Sequence, residues 1–368
     1  MNFLLNSNSG KPAYVQLYQT LVEDILSGAY PFGSRLPSKR MLAEETGLSV
    51  ITVEHAVSLL CEEGYVESRQ RSGYYVIYRN ADFLGDGRKL PPPARKNADS
   101  GVHQSGSSLI PYSVAAKTMR RVIQDYGDRI LVKSPNHGCR ELREEICSYL
   151  TRSRGIRVNP SQIIIGSGAE YLYGLLVQLL GTEHIYAVED PCYDKIKKVY
   201  RMMGARVEEM KLGGDGILSD VLAASKAQFL HVTPFHSYPS GVTASISKKH
   251  EYLRWAEERN GILIEDNYDS ELTVSSKPEE PLFSMTDKEN VVYINTFSRT
   301  VAPSLRIGYM ILPANMEEAF NEKLGFYSCT VPVFDQYVLA ELLKNGDFER
   351  HINRVRRKRR KEEKEQEQ

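Results

Sequence analysis

The sequence predicts two folded parts of different class: a winged helix-turn-helix at the N-terminus and, beyond a linker, a larger α/β domain with a largely parallel sheet. Three observations carry this. Residues 1–78 show helical periodicity punctuated by caps and turns, and end in a short β-like pattern. Residues 79–108 lose all periodicity and fill with Pro, Gly, Ser and charge. From 109 to 368, short apolar runs alternate with amphipathic helical stretches, the pattern of strands covered on both faces by helices.

The first part is legible residue by residue. In RLPSKRMLAEETGLSVITVEHAVSLLCEEGYVESRQRSGYYV, residues 35–76, Ser38 follows Pro37 and can cap a helix from Lys39 to about Thr46. Gly47 suits the left-handed turn that ends it. Ser49 can cap the next helix, where Val53, Ala56, Val57 and Leu60 fall at i, i+3, i+4 and i+7. Two helices joined by a tight turn containing glycine make a helix-turn-helix, whose second helix can enter a major groove. Gly64 closes that helix, and two short strands around a basic turn, Arg69 to Gly73, make a wing.

The linker is semi-stiff at Pro91, Pro92 and Pro93 and loose on either side. In the α/β part, QIIIGSG, HIYAVEDP, AQFLHVTP, GILIEDNY and NVVYINTF are the expected buried strands. The tail RHINRVRRKRRKEEKEQEQ should begin as a helix and fray, a solvated end whose glutamates offset its basic block.

Bulk composition excludes little. Hydrophobic residues are 41% and charged residues 26%, ordinary for a globular chain. Lys+Arg and Asp+Glu are both 47, so any nucleic-acid surface must be local. Cys61, Cys139, Cys147, Cys192 and Cys329 form no C-x-x-C pair, which points to free thiols in a reducing compartment. No apolar run approaches the ~20 residues of a membrane span, and MNFLLNSNSGKP lacks the build of a signal peptide. A cytoplasmic protein is expected.

The α/β part carries the elements of a cradle for a phosphorylated cofactor. The turn in IIIGSGAEYLYGLLVQLLG places the amides of Gly168, Ala169 and Glu170 at a helix N-terminus, where they could bind phosphate. Such turns are also common in α/β folds without a ligand. Tyr193 follows a strand and could stack on a ring, or simply pack. Asp266 and Tyr268 sit at a strand's C-terminal end, where ligands of α/β folds lie. Asp266, Asp269 and Glu271 could suggest a divalent metal, but the segment lacks the glycine of a calcium loop, and no metal is expected. Thr296, Ser298 and Arg306 are spaced to converge on a phosphate.

Residues 12–66 resemble the GntR-type winged helix along their whole length, most specifically at Leu36-Pro37-Ser38 with Arg40, Thr52-Val53 and Glu63-Gly64-Tyr65. The resemblance implies a double-stranded DNA operator as partner, touched at phosphates or bases by Arg35, Ser38, Arg40, Ser49, Thr52 and the wing residues Arg69, Arg71 and Gly73. Val50 stands where that family carries a basic or polar residue, so only an apolar contact, for instance to a thymine methyl, is open to it.

The whole chain from 10 to 360 resembles the MocR-type regulators (GabR-like and PdxR-like), GntR winged helices fused to a fold-type I aminotransferase-like domain. HGCRELREEICSYLTRSRGI, GSGAEYLYGLL, VEDPCY, TPFHSYPSG, EDNYDSE, NTFSRTVAPSLRIGYM, FYSCTV and ERHINR carry the likeness. It implies pyridoxal 5′-phosphate as cofactor. Asp266 would pair with the pyridine nitrogen, Tyr268 with the ring hydroxyl, and Tyr193 would stack on the ring. Thr296, Ser298, Arg306 and the amides at Gly168 and Ala169 would hold the phosphate. Lys195 falls near a basic group that some relatives use for an effector carboxylate. The resemblance also implies a homodimer and an amine or amino-acid effector.

Four departures bear on function. Arg299 stands at the position of the Schiff-base lysine, His236-Ser237 replaces a His-Gln pair, and Asn267 replaces an aspartate. The chain also stops where the family continues into a small C-terminal domain. The expected domains are thus 1–78, linker 79–108, and 109–368 with the small domain largely missing. The expected function is a DNA-binding regulator with a degenerate effector and dimerisation domain, holding the cofactor noncovalently at best and with no catalytic residue. The alternatives are a pyridoxal-phosphate aminotransferase or covalently linked sensor, and a truncated, non-functional relative.

Overall fold

The structure, a computed structural model, describes residues 12–70, 72–79, 109–273 and 280–366. All but the first residue of the expected linker, and the wing residue Arg71, lie outside the described residues. The chain divides into two compact units, Met1–Gly101 and Val102–Gln368.

The first unit comprises α1 (Ala13–Ser27), α2 (Lys39–Thr46), α3 (Val50–Glu62), β1 (Val66–Arg69) and β2 (Gly73–Val76). Its helix ends are set locally. The Ser38 hydroxyl accepts from the Met41 amide, and the Ser49 hydroxyl accepts from the Thr52 amide. Gly47, at φ 70°, takes the left-handed turn between the two helices. The predicted stripe Val53, Ala56, Val57 and Leu60 is buried against Leu17, Leu21 and Ile25 of α1 and Leu42 of α2. β1 and β2 pair antiparallel, with Arg69 opposite Gly73.

The second unit opens with α4 (Tyr112–Tyr126) and α5 (Arg140–Arg154). Strands and helices then alternate: β3 (Ile163–Gly166), α6 (Ala169–Leu180), β4 (Ile185–Asp190), α7 (Asp194–Met202), β5 (Arg206–Lys211), α8 (Ser219–Ala224), β6 (Phe229–Val232), α9 (Ile246–Glu258) and β7 (Ile262–Asp266). β8 (Val291–Thr296), β9 (Gly308–Ile311), α10 (Glu317–Leu324), α11 (Val333–Lys344) and α12 (Asp347–Gln366) complete it. The seven strands run in the order β3-β9-β8-β7-β6-β4-β5. β5, β4, β6, β7 and β8 are mutually parallel, while β9 is antiparallel to both β8 and β3. The sheet is therefore mixed, largely parallel as expected, with an antiparallel insertion at one side.

Both faces of the sheet are covered, which is why its central strands are apolar throughout. Ile163 and Ile165 join Leu142, Ile146 and Leu339 on one face, while Ile164 joins Leu172 and Leu176 on the other. Tyr293 and Ile294 separate in the same way, following the strand period of two. On α9, Trp255 packs with Leu230 and Leu263 in a third cluster. The charged tail continues as helix α12, and Arg356 and Arg359 donate to the carbonyls of Glu271 and Leu272 at 2.6 and 3.1 Å.

Candidate functional site

The C-terminal ends of β4, β6, β7 and β8 and the N-terminus of α6 surround a cavity of about 410 Å³. It is lined by Ala169, Tyr193, Asp266, Tyr268, Thr296, Ser298 and Arg306, which are seven of the eight residues predicted to hold a cofactor. The eighth, Gly168, immediately precedes α6. Its φ is 98°, and a Cβ there would lie 2.7 Å from an Arg306 guanidinium nitrogen, so only glycine lets Arg306 lie across the turn.

Asp266 is the most specifically prepared of these groups. It is buried at the end of β7, and its Oδ2 accepts a hydrogen bond from the Tyr173 hydroxyl. His231 Nε2 lies 3.7 Å from the same oxygen, and the His231 ring is fixed through Nδ1 by the Tyr200 hydroxyl at 2.7 Å. The other oxygen, Oδ1, is buried without a hydrogen-bond partner. Asp266 is among the residues lining the cavity, and a protonated ring nitrogen is the kind of donor that would satisfy such a buried carboxylate oxygen. Ser298 Oγ is likewise buried and unpartnered. These residues fit a phosphorylated pyridine.

Other features depart from the simplest expectation. The Tyr268 hydroxyl donates to the His236 carbonyl at 2.9 Å, so towards a ring hydroxyl it could only accept. Burial, then the neighbouring Asp269, pushes its phenol up to about 12. The guanidinium of Arg299 lines the cavity, 5.2 Å from the Tyr268 ring centre and 3.6 Å from Asp269 Oδ1. Lys195 is tied to Glu170 at 2.7 Å. The acidic trio does not gather into a metal site among the described residues. Asp269 faces Arg299 and Arg359, while Glu271 accepts from Asn295 at 2.6 Å.

Several participants escaped the sequence reading. Tyr173, one turn into α6, looks like a core residue by periodicity, and only the fold shows its hydroxyl reaching Asp266. His231 carried a signal, being a lone histidine in the apolar strand FLHV. Glu189, near the end of β4, is buried, and the Ser237 hydroxyl donates to it at 2.5 Å. Burial pushes its carboxyl up to about 8, against the downward pull of Ser237 and the Thr233 amide.

In the first unit, Ser38 and Ser49 serve as helix caps, and Thr52 shares its hydroxyl with Ser49 at 2.8 Å. Arg35 bridges to Tyr75 in the wing. A Cβ at Gly73 would stand 2.9 Å from the Arg35 guanidinium, so glycine is needed for that approach. Arg69 is held by Glu67 at 2.6 Å and lies over the Tyr75 ring. Arg40 is exposed and forms no ion pair among the described residues. At the start of α3, Val50 and Ile51 are 46% and 77% exposed, an apolar surface on the helix expected to enter the groove.

Comparison with known proteins agrees with this two-part construction. The model of the bacterial regulatory proteins of the gntR family matches residues 13–76, and that of aminotransferase class I and II matches residues 99–366. The chain is 34% identical over 362 residues to the uncharacterized HTH-type transcriptional regulator YdeL of Bacillus subtilis, across 96% of this chain and 78% of YdeL. It is 27% identical to the probable rhizopine catabolism regulatory protein MocR of Rhizobium meliloti, across 96% of this chain and 76% of MocR. Among solved structures, Pyrococcus horikoshii kynurenine aminotransferase superposes with a TM-score of 0.61 at 23% identity, covering 76% of this chain and 74% of that one. That likeness establishes the fold of the larger unit. Among the described residues no helix is long and apolar enough to cross a membrane.

Proposed function

The chain belongs to the MocR-type transcriptional regulators, DNA-binding GntR proteins joined to an aminotransferase class I and II domain, and from that premise we propose that its larger domain binds pyridoxal 5′-phosphate without a covalent bond and does not transaminate. The observation that supports this is the cavity's lining. It includes a guanidinium, Arg299, and among the described residues no lysine. A guanidinium is delocalised and is neither a nucleophile nor a base, so Arg299 neither attacks an aldehyde nor carries a proton back and forth.

The bound cofactor would supply an electron-withdrawing ring. The chain's own residues would position it. Asp266 Oδ1 would take the pyridine N–H, with the Tyr173 hydroxyl holding the other carboxylate oxygen in place. Tyr193 would cover the ring. Thr296, Ser298, Arg306 and the amides following Gly168 would hold the phosphate. In this reading residues 1–78 read an operator, with Arg35, Arg40, Thr52 and Arg69 on phosphates or bases, while residues 109–368 sense an amine or amino acid and form a homodimer.

Equilibrium dialysis of the full chain against pyridoxal phosphate, with amino-group transfer followed in the same samples, tests the proposal. Saturable binding without transfer from any amino donor is expected. Transfer by the purified chain would overturn it.

A further inference from the structure

Where a phosphate would sit, the chain already carries an anion. Glu170 is the second residue of α6, and its side chain folds back over the start of its own helix. Its carboxylate accepts from Lys195 Nζ at 2.7 Å through one oxygen and from an Arg306 guanidinium nitrogen at 2.8 Å through the other. Its own backbone amide also favours the charged form. Two cations and a helix-terminal amide are the donors that an anion recruits at such a place. Burial alone would raise this carboxyl, but Lys195, the amide and Arg306 outweigh it and hold it down at about 2.

Glu170 also lines the cavity with Arg306 and Ser298. In the same lining Asp266 keeps a buried oxygen with no partner, whereas the Arg306 guanidinium is already satisfied from within by Glu170. We propose that Glu170 is a built-in competitor for the phosphate seat: a phosphorylated ligand enters only by displacing the Glu170 carboxylate from Arg306 and Lys195. The ligand class is a phosphomonoester. The consequence is a sensor that loads only at high ligand concentration, because each binding event breaks two charge-assisted bonds before making its own.

The inference rests on the cavity being the cofactor site, and its test separates the two ideas. Binding of inorganic phosphate, pyridoxal 5′-phosphate and unphosphorylated pyridoxal would be measured by calorimetry on the full-length wild type, Glu170→Gln and Glu170→Asp. Thermal unfolding followed by Trp255 fluorescence would establish that each variant is folded. Glu170→Gln should bind both phosphates at least tenfold tighter than wild type, with pyridoxal unchanged. Glu170→Asp, too short to bridge both cations, should also tighten. Adding Arg306→Ala to Glu170→Gln should remove the gain. Equal or weaker phosphate binding by a folded Glu170→Gln or Glu170→Asp protein overturns the gate. If pyridoxal phosphate binds wild type and variants alike, the cofactor reading stands and the gate fails. If inorganic phosphate tightens but pyridoxal phosphate binds none of them, the gate stands and the cofactor reading fails.

Discussion

Glu189→Gln should make the larger domain more stable, and increasingly so as pH rises. Glu189 is buried, and its carboxyl titrates at about 8 instead of 4.5 because burial penalises the charged form. The sign follows from proton uptake. Below about pH 4.5 both folded and unfolded chains hold the proton, and nothing is lost. Above that the unfolded chain releases it while the folded chain keeps it, so stability falls with rising pH until the folded group ionises near 8. The full window is worth at most about 5 kcal/mol, at about 1.4 kcal/mol per pH unit. Between pH 5.5 and 7.5 the share is about 3 kcal/mol. Glutamine keeps an acceptor for the Thr233 amide and offers Ser237 a donor, mimicking the neutral acid.

The assay is urea unfolding at several pH values, followed by fluorescence. The chain has a single tryptophan, Trp255, buried on α9 in the same unit as Glu189, so the signal reports that unit. The gap between variant and wild type should widen by about 1.4 kcal/mol per pH unit over this range. Other groups titrating in the window cancel in the difference. Parallel curves would refute the claim that Glu189 is folded as a neutral acid.

Three further outcomes follow from the structure. Arg40→Ala should weaken DNA binding by a similar factor on every sequence and flatten the slope of log affinity against log salt by about 0.9, as loss of one phosphate contact requires; an unchanged slope in anisotropy titrations would place Arg40 off the backbone. Leu60→Ala removes a fully buried side chain from the core of the first unit and should destabilise it by about 2–5 kcal/mol, read by calorimetry as an earlier melting of that unit; a loss under about 1 kcal/mol would show the core tolerating the void. Arg299→Lys should give a pyridoxal-phosphate adduct that borohydride fixes to residue 299, detectable by peptide mapping, and no adduct there would show that residue 299 does not face the aldehyde.

The sequence was most legible where structure is local. Ser38, Gly47 and Ser49 announce helix ends because capping involves neighbours three residues apart. The apolar runs of β3, β4, β6, β7 and β8 were visible because both sheet faces are buried. β5 escaped because RVEEMK lies at the sheet edge, with charged side chains that blur the apolar pattern. β9 escaped because it is only four residues long and begins inside the stretch read as a phosphate frame. The cradle residues were readable as types at strand ends. The role of the Glu170 side chain was not, because it depends on Lys195 and Arg306, which lie 25 and 136 residues away. Tyr173 behaves the same way: helical spacing marks it as core, and only the arrival of β7 gives its hydroxyl a carboxylate.

We propose a regulator whose cofactor pocket has no covalent anchor. The most direct test is the absorbance of the full-length chain with pyridoxal phosphate before and after borohydride, followed by peptide mapping. Saturable spectral change without a pyridoxyl group fixed to any residue lining the cavity is the expected result. A pyridoxyl group fixed within the cavity would contradict it.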